Sequence, residues 1–180
     1  GAECKAVKFV EDSAVERFYS YTYSDSEIEK IYFPESLKEL KEGWCYNTNK
    51  LTKIIISPSN NQFIFKDNKY LLGKTNKDSD EFDILLFGNR NIKEISIPSN
   101  IKIISSYAFE NCENLSKVEI PTNSKLQTIG KSAFYSSKIK HIFIPPTVSK
   151  ICQSAFSYCE NLTKVEIPTN SKLQIIEEDA

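Results

Sequence analysis

Five cysteines (Cys4, Cys45, Cys112, Cys152 and Cys159) and one histidine (His141) are the side chains here best suited to metal ligation, disulfide formation or nucleophile-and-base chemistry. Their spacing argues against each role. Cys152 and Cys159 stand seven apart with no CxxC pair, and no second pair completes a zinc set. His141 lies in IKHIFIP, where nothing nearby orients it as a triad would, and the chain has no glycine-rich phosphate loop. The expectations are therefore no enzyme, no metal site and no cofactor, with the cysteines acting as small apolar fillers.

What positions these residues is a repeat. CENLSKVEIPTNSKLQTI from Cys112 returns as CENLTKVEIPTNSKLQII from Cys159, with sixteen of eighteen residues kept 47 positions later. Aligning the apolar runs gives IEKIYFP from Ile28, LTKIIIS from Leu51, IKEISIP from Ile92, LSKVEIP from Leu115, IKHIFIP from Ile139 and LTKVEIP from Leu162. Their starts are 23, 41, 23, 24 and 23 residues apart, so one period carries an insertion. A period in the low twenties, too short to bury its own apolar face, predicts stacked coils with a shared core. Cys112 and Cys159 then sit two layers apart, about 10 Å at one strand spacing per layer, beyond the usual disulfide separation. The two Asn-x-Ser/Thr sequons, at Asn114 and Asn161, recur at one repeat position and carry no message beyond the repeat.

Within each run positions 1, 4 and 6 are apolar and positions 3 and 5 vary, which predicts a short strand with its outward side at 3 and 5. The proline at position 7 lacks an amide donor and suits the strand end. Between strands recur ISSYAFENC, IGKSAFYSS and ICQSAFSYC, with LKEGWCYNT from Leu40 as a variant. An apolar residue four before an Ala-Phe pair predicts a short helical or irregular turn covering the strands. Where Trp44-Cys45 replaces Ala-Phe, different packing is expected.

The 23 basic and 24 acidic side chains leave a net charge of -1, which gives no nucleic-acid footprint. No apolar run is long enough for a membrane helix. The opening GAECK lacks a charged-then-apolar leader, and Gly1 reads as a cloning remnant.

IPSNIKIISSYAFENCENL from Ile97 and IPPTVSKICQSAFSYCENL from Ile144 resemble the BspA-like leucine-rich repeats, whose unit runs L-x-x-I-x-I-P and then V-x-x-I-x-x-x-A-F-x-x-C. The resemblance is strong over residues 92–180 and looser over 28–58. It implies an α/β fold: a right-handed curved solenoid with short strands on the concave side and helical or irregular turns on the other. It also implies a cell-surface or secreted, adhesin-like protein of anaerobic bacteria or parasitic protists that contacts a host matrix or cell-surface protein. Residues 1–27 fall outside it, as an N-terminal cap or irregular first repeat ahead of a 28–180 repeat domain. The break at Ala180, ahead of the expected aromatic, reads as a fragment of a longer array.

The candidate binding face is the outward ladder of the strands. Position 3 reads Lys30, Lys53, Glu94, Lys117, His141 and Lys164, and position 5 reads Tyr32, Ile55, Ser96, Glu119, Phe143 and Glu166. Basic groups beside aromatic and aliphatic ones suit a protein interface. On the layers beside His141 the same position holds Lys117 and Lys164, and Glu119 and Glu166 stand one position-class over as candidate neighbours. The insertion, about 63–89, predicts a β-hairpin at the solenoid edge turning at Asp67-Asn68-Lys69, either a binding element or a widening of the stack. Tyr19, Tyr21 and Tyr23, alternating with Ser and Thr, predict a strand with an aromatic face. The rival to surface recognition is an intracellular scaffold, favoured by free thiols.

Overall fold

The computed structural model describes residues 4–10 and 12–180; Gly1 lies outside them. The chain winds through seven coils, each with a first-row and a second-row strand except where the insertion intervenes. Coil one carries β1 (Ala6–Val7) and β2 (Arg17–Phe18), and coil two β3 (Lys30–Phe33) and β4 (Glu39–Leu40). Coil three opens with β5 (Lys53–Ile56) and continues through β6 (Ile64–Lys66), β7 (Tyr70–Gly73) and β8 (Ile84–Gly88). Coils four to six hold β9 (Glu94–Ser96) with β10 (Ile103–Ile104), β11 (Lys117–Glu119) with β12 (Thr128–Ile129), and β13 (His141–Phe143) with β14 (Lys150–Ile151). The seventh holds β15 (Lys164–Glu166) and β16 (Ile175–Ile176). Successive coils pair in parallel with like repeat positions in register, as in Lys30↔Lys53, Lys117↔Glu94 and His141↔Lys164.

The first coil extends the repeat further back than the alignment from Ile28. Ala6 pairs with Lys30 and Val7 with Ile31, which puts Cys4, Val7 and Phe9 at positions 1, 4 and 6. Tyr21 and its neighbours from Ser20 to Asp25 form turns, and Tyr19 is outside any strand, so the expected aromatic strand does not exist. Tyr21 and Asp25 adopt positive φ, which a strand excludes.

The α/β expectation is corrected too: no helix occurs among the described residues. The Ala-Phe segments are chained β-turns, with Ala108 donating to the Ser105 carbonyl, Glu110 to Tyr107 and Cys112 to Phe109. Tyr107 and Asn111, like Ser132 and Ser136 one coil later, sit at positive φ, which interrupts the continuous right-handed conformation a helix needs. The alternate amides are committed between layers: Tyr107 donates to Lys131, Phe109 to Ala133 and Asn111 to Tyr135, at 2.7–2.9 Å. Neighbouring coils thus satisfy backbone groups that a helix would satisfy within itself. On the inner side Phe109, Phe134 and Phe156 form a parallel stack with centroids 5.1 and 5.4 Å apart.

The insertion is part of the wall. β6 and β7 pair antiparallel around a turn whose central residues, Asp67 and Asn68, both have positive φ, as a primed hairpin turn requires. β7 pairs antiparallel with β8, and β8 pairs in parallel with β10, so the second row runs unbroken from β6 to β16. Leu71, Leu85 and Phe87 are fully buried, which sets these strands into the core instead of projecting them from the edge.

Coil three lacks a full turn segment. Leu85 is nine residues from Glu94, whereas their register partners Ile104 and Lys117 are thirteen apart. The turns of coils two and four therefore face each other across a shortened layer, and Arg90, only 2% exposed, fills the place. Its Nη1 donates to the Ala108 carbonyl at 3.1 Å and its Nη2 to those of Cys45 at 3.3 Å and Tyr107 at 3.4 Å, while Nε donates to Thr48 at 3.4 Å. The guanidinium also lies 4.6 Å from the Phe87 centroid. Beside it, the amide of Asn47 donates to the carboxylate of buried Glu110 at 2.8 Å. Burial raises the Glu110 carboxyl above its ordinary range against the opposing pull of that amide and of Arg90. This polar seam joins an N-terminal core around Phe18, Phe33, Trp44 and Phe87 to a C-terminal one around Leu85, Phe109 and Phe134. Trp44 stands in the slot that Ala108 occupies two coils on, and its bulk fills the thinned layer against Phe87, 6.0 Å between centroids.

At Gly130 the backbone of the neighbouring coil approaches closely. A β-carbon there would lie 2.5 Å from the Ser106 nitrogen and 2.8 Å from the Ile104 oxygen, both backbone atoms that cannot turn aside. Gly130→Ala is expected to cost about 1–3 kcal/mol through overpacking, seen as a lowered urea midpoint; a change below about 0.5 kcal/mol would contradict this packing.

Candidate recognition surface

Strand alternation places the candidate residues outward, because positions 4 and 6 of the enclosed coils are spent on the core: Ile31 and Phe33, Ile95 and Ile97, Ile142 and Ile144 are all buried, whereas Val165 and Ile167 of the last coil are exposed. Lys53, Glu94, Lys117, Glu119, His141 and Lys164 are exposed, and Lys30, Tyr32, Ile55, Phe143 and Glu166 are half-buried. They do not form one continuous strip. The first row divides into β1-β3-β5, β9-β11 and β13-β15, with no ladder across the two breaks.

The break between β5 and β9 is where the hairpin turn enters. The Asn89 side-chain amide donates to the carbonyls of Thr52 and Asn68, and Asn68 and Lys69 share a shallow hollow with Glu94. Glu94 therefore sits beside the insertion on one side and opposite its register partner Lys117 on the other. The break between β11 and β13 opens a groove of about 770 Å³. It gathers Lys117, Glu119, His141, Phe143 and Glu166, together with Thr122, which strand periodicity alone had no reason to include.

Most charges around this groove are paired with one another, while Lys140 on its lining has no ion-pair partner among the described residues. Lys117 meets Glu119 at 2.6 Å, Lys164 pairs with Glu166, and His141 Nε2 lies 3.4 Å from a Glu166 oxygen. The hydrogen bond from Lys164, with help from His141, holds the Glu166 carboxyl below its ordinary range. The hydrogen bond to Glu119 likewise raises the Lys117 ammonium. An exposed Lys-Glu-His cluster of this kind presents directional donors and acceptors to a ligand. Phe143 supplies the apolar element.

At the other end, Tyr32 and Ile55, register partners on β3 and β5, line a separate hollow of about 350 Å³ with Lys8, Phe9, Val10, Pro34 and Pro58. Lys8, Phe9 and Val10 were missed because the repeat was traced only from Ile28. The apolar 1-4-6 pattern of Cys4, Val7 and Phe9 was the signal that pointed to them.

The five cysteines are free; Cys45, Cys112 and Cys159 are buried, and Cys4 is exposed. Burial pushes the Cys45 thiol up to about 12 and raises those of Cys112, Cys152 and Cys159. Neutral, enclosed thiols are poor nucleophiles and poor ligands. Among the described residues no three His, Cys, Asp or Glu side chains gather as a metal site, and no helix is long and apolar enough to cross a membrane.

The fold has counterparts among solved structures. A leucine-rich repeat protein from Eubacterium ventriosum aligns at 26% identity and a TM-score of 0.73, covering 85% of this chain and 40% of that one. The pneumococcal vaccine antigen PcpA aligns at 20% identity and 0.71, covering 90% and 44%. A leucine rich cell surface protein from Faecalibacterium prausnitzii aligns at 19% and 0.65, covering 92% and 52%. The chain thus spans from two-fifths to about half the length of these proteins. No curated protein matches it. The profile of the BspA type leucine rich repeat region matches in six copies over residues 2–71 and 82–180, taking in most of the first coil. On that match the chain belongs to the BspA-type leucine-rich-repeat family.

Proposed function

We propose that this chain is a non-catalytic recognition segment of a cell-surface, adhesin-like protein, and that it holds a host matrix or cell-surface protein against its first-row strand face. Repeat solenoids of this kind present surfaces for protein-protein contact. The observation that carries the reading is the 770 Å³ groove, where Phe143 lies among alternating charges. Interface cores favour such an aromatic anchor with a polar rim. Two of the structural neighbours are a cell surface protein and a vaccine antigen, which supports a surface location.

The scaffold reading draws on the unpaired cysteines, but three of the five are enclosed and protected from oxidants wherever the protein resides. Antibody labelling of intact cells separates the two, since only a surface protein is stained without permeabilisation.

Capture from host extracellular material tests the binding claim. The wild-type chain is expected to retain a protein partner, and the Tyr32→Ser, Ile55→Ser, Phe143→Ser variant to lose at least about tenfold of that retention, given how strongly interfaces rely on such anchors. Equal retention by a folded variant would remove the strand face from the account.

A further inference from the structure

The two ends of the strand face differ in how their charge is handled. In coils five and seven each position-3 lysine has a glutamate at position 5 of the same strand: Lys117 with Glu119, Lys164 with Glu166. In coils one to three position 5 is Lys8, Tyr32 and Ile55, and no acid is supplied. Lys30 and Lys53 are direct register partners on neighbouring strands, an arrangement that disfavours like charges. Lys8, Lys30 and Lys53 have no ion-pair partner among the described residues. Two of them converge on one ring, with Lys8 Nζ 5.8 Å and Lys30 Nζ 5.7 Å from the Tyr32 centroid.

Beside this cationic cluster lies the 350 Å³ hollow, walled by Phe9, Val10, Pro34, Ile55 and Pro58, with Glu35 as a carboxylate on its lining. Three cations without an ion-pair partner among the described residues, next to an apolar recess, make a surface whose complement is both negative and apolar. A polyanion without apolar groups would leave the recess unfilled, and an uncharged apolar segment would leave the lysines unmatched.

We propose that this end of the strand face docks an acidic segment of a partner protein, with an apolar side chain of the segment in the hollow and its carboxylates on Lys8, Lys30 and Lys53. The inference rests on the recognition reading above and names the chemistry of one half of that surface. Tyr32 is the contact shared by both parts, its ring facing the recess and its π-face already electrostatically engaged by lysine.

Fluorescence anisotropy on the full chain tests it, using a short labelled peptide that alternates Glu and Leu, with Glu-Ser and Lys-Leu peptides as comparators. The Glu-Leu peptide is expected to bind at least about tenfold more tightly than either, and to weaken with salt as Debye screening shortens. The triple Lys8→Ser, Lys30→Ser, Lys53→Ser variant should lose about tenfold, Lys53→Ser alone about threefold, and the Lys117→Ser, Lys164→Ser control less than about twofold. The single variant at an exposed lysine keeps the test valid if the triple variant folds poorly. Undiminished binding by the lysine variants, equal binding of the Glu-Ser peptide, or stronger competition from heparin fragments than from Glu-Leu would each overturn the proposal. Its failure is distinguishable from failure of the recognition reading when Phe143→Ser alone, at the other end of the face, is added to the capture assay: lost capture there with undiminished peptide binding by the lysine variants would sink this proposal and leave that reading standing.

Discussion

Arg90→Ala is expected to destabilise the solenoid by about 3–5 kcal/mol, the scale on which removing one member of a buried charged network acts. The guanidinium spans a layer whose turn is four residues short of its neighbour's, and it answers carbonyls from coil two, at Cys45 and Thr48, and from coil four, at Tyr107 and Ala108. Alanine would leave those acceptors buried without that donor and would strand the Glu110 carboxylate, which already bears a desolvation penalty. Arg90→Lys should fall between, because an ammonium keeps the charge but cannot reach both turns at once. Trp44, the single tryptophan, packs against Phe87 at this seam and reports the change by fluorescence in a urea titration. A loss under about 1 kcal/mol would mean the seam is held by something other than this side chain.

Phe134→Ala is the second large effect, expected at about 3–5 kcal/mol for deleting a fully buried aromatic side chain. Phe134 is the middle ring of three, stacked at 5.1 Å on Phe109 and 5.4 Å on Phe156 with interplanar angles of 8° and 3°. Its removal empties a site lined on both sides by rigid rings, which cannot close over the cavity. Phe156→Ala should cost clearly less, since that ring is only partly buried. Calorimetric unfolding of the pair checks the order, and equal losses would argue against the stack as a cooperative element.

These two positions differ in how far the sequence announces them. Phe134 belongs to the repeated Ala-Phe signature, so period and burial follow from counting residues. Arg90 lies in GNRNI, where nothing local marks it as internal; its partners lie 17 to 45 residues away, and only the shortened coil brings them within reach. A subtler ambiguity governed the turns. An apolar residue four before Ala-Phe fits a helical turn and a chain of β-turns equally well. The choice falls to positive φ at Tyr107 and Asn111, which cross-layer bonds to Lys131 and Tyr135 hold in place.

The candidate face was legible in its facing and not in its continuity. Alternation alone puts Lys30, Tyr32, Phe143 and the rest outward. The separation of Tyr32 and Ile55 from the His141 groove depends on the hairpin turn at Asn68 and Lys69 entering the first row, a tertiary event that no strand period encodes. The tyrosines tell the complementary story. Tyr21, Tyr46 and Tyr107 make edge-on contacts along the turn side, and Tyr135 meets Tyr158 there at 5.1 Å, so aromatic groups are displayed away from the strand face as well. Tyr158 is 70% exposed and is the natural competitor to Phe143 as an anchor.

Hydroxyl-radical footprinting of the chain bound to its captured partner decides between these surfaces most directly. The account predicts protection of Tyr32, His141 and Phe143 on the first-row strands, with Tyr135 and Tyr158 oxidised as in the free chain. Protection of Tyr135 and Tyr158 with the strand residues left reactive would contradict it and place recognition on the turn side of the solenoid.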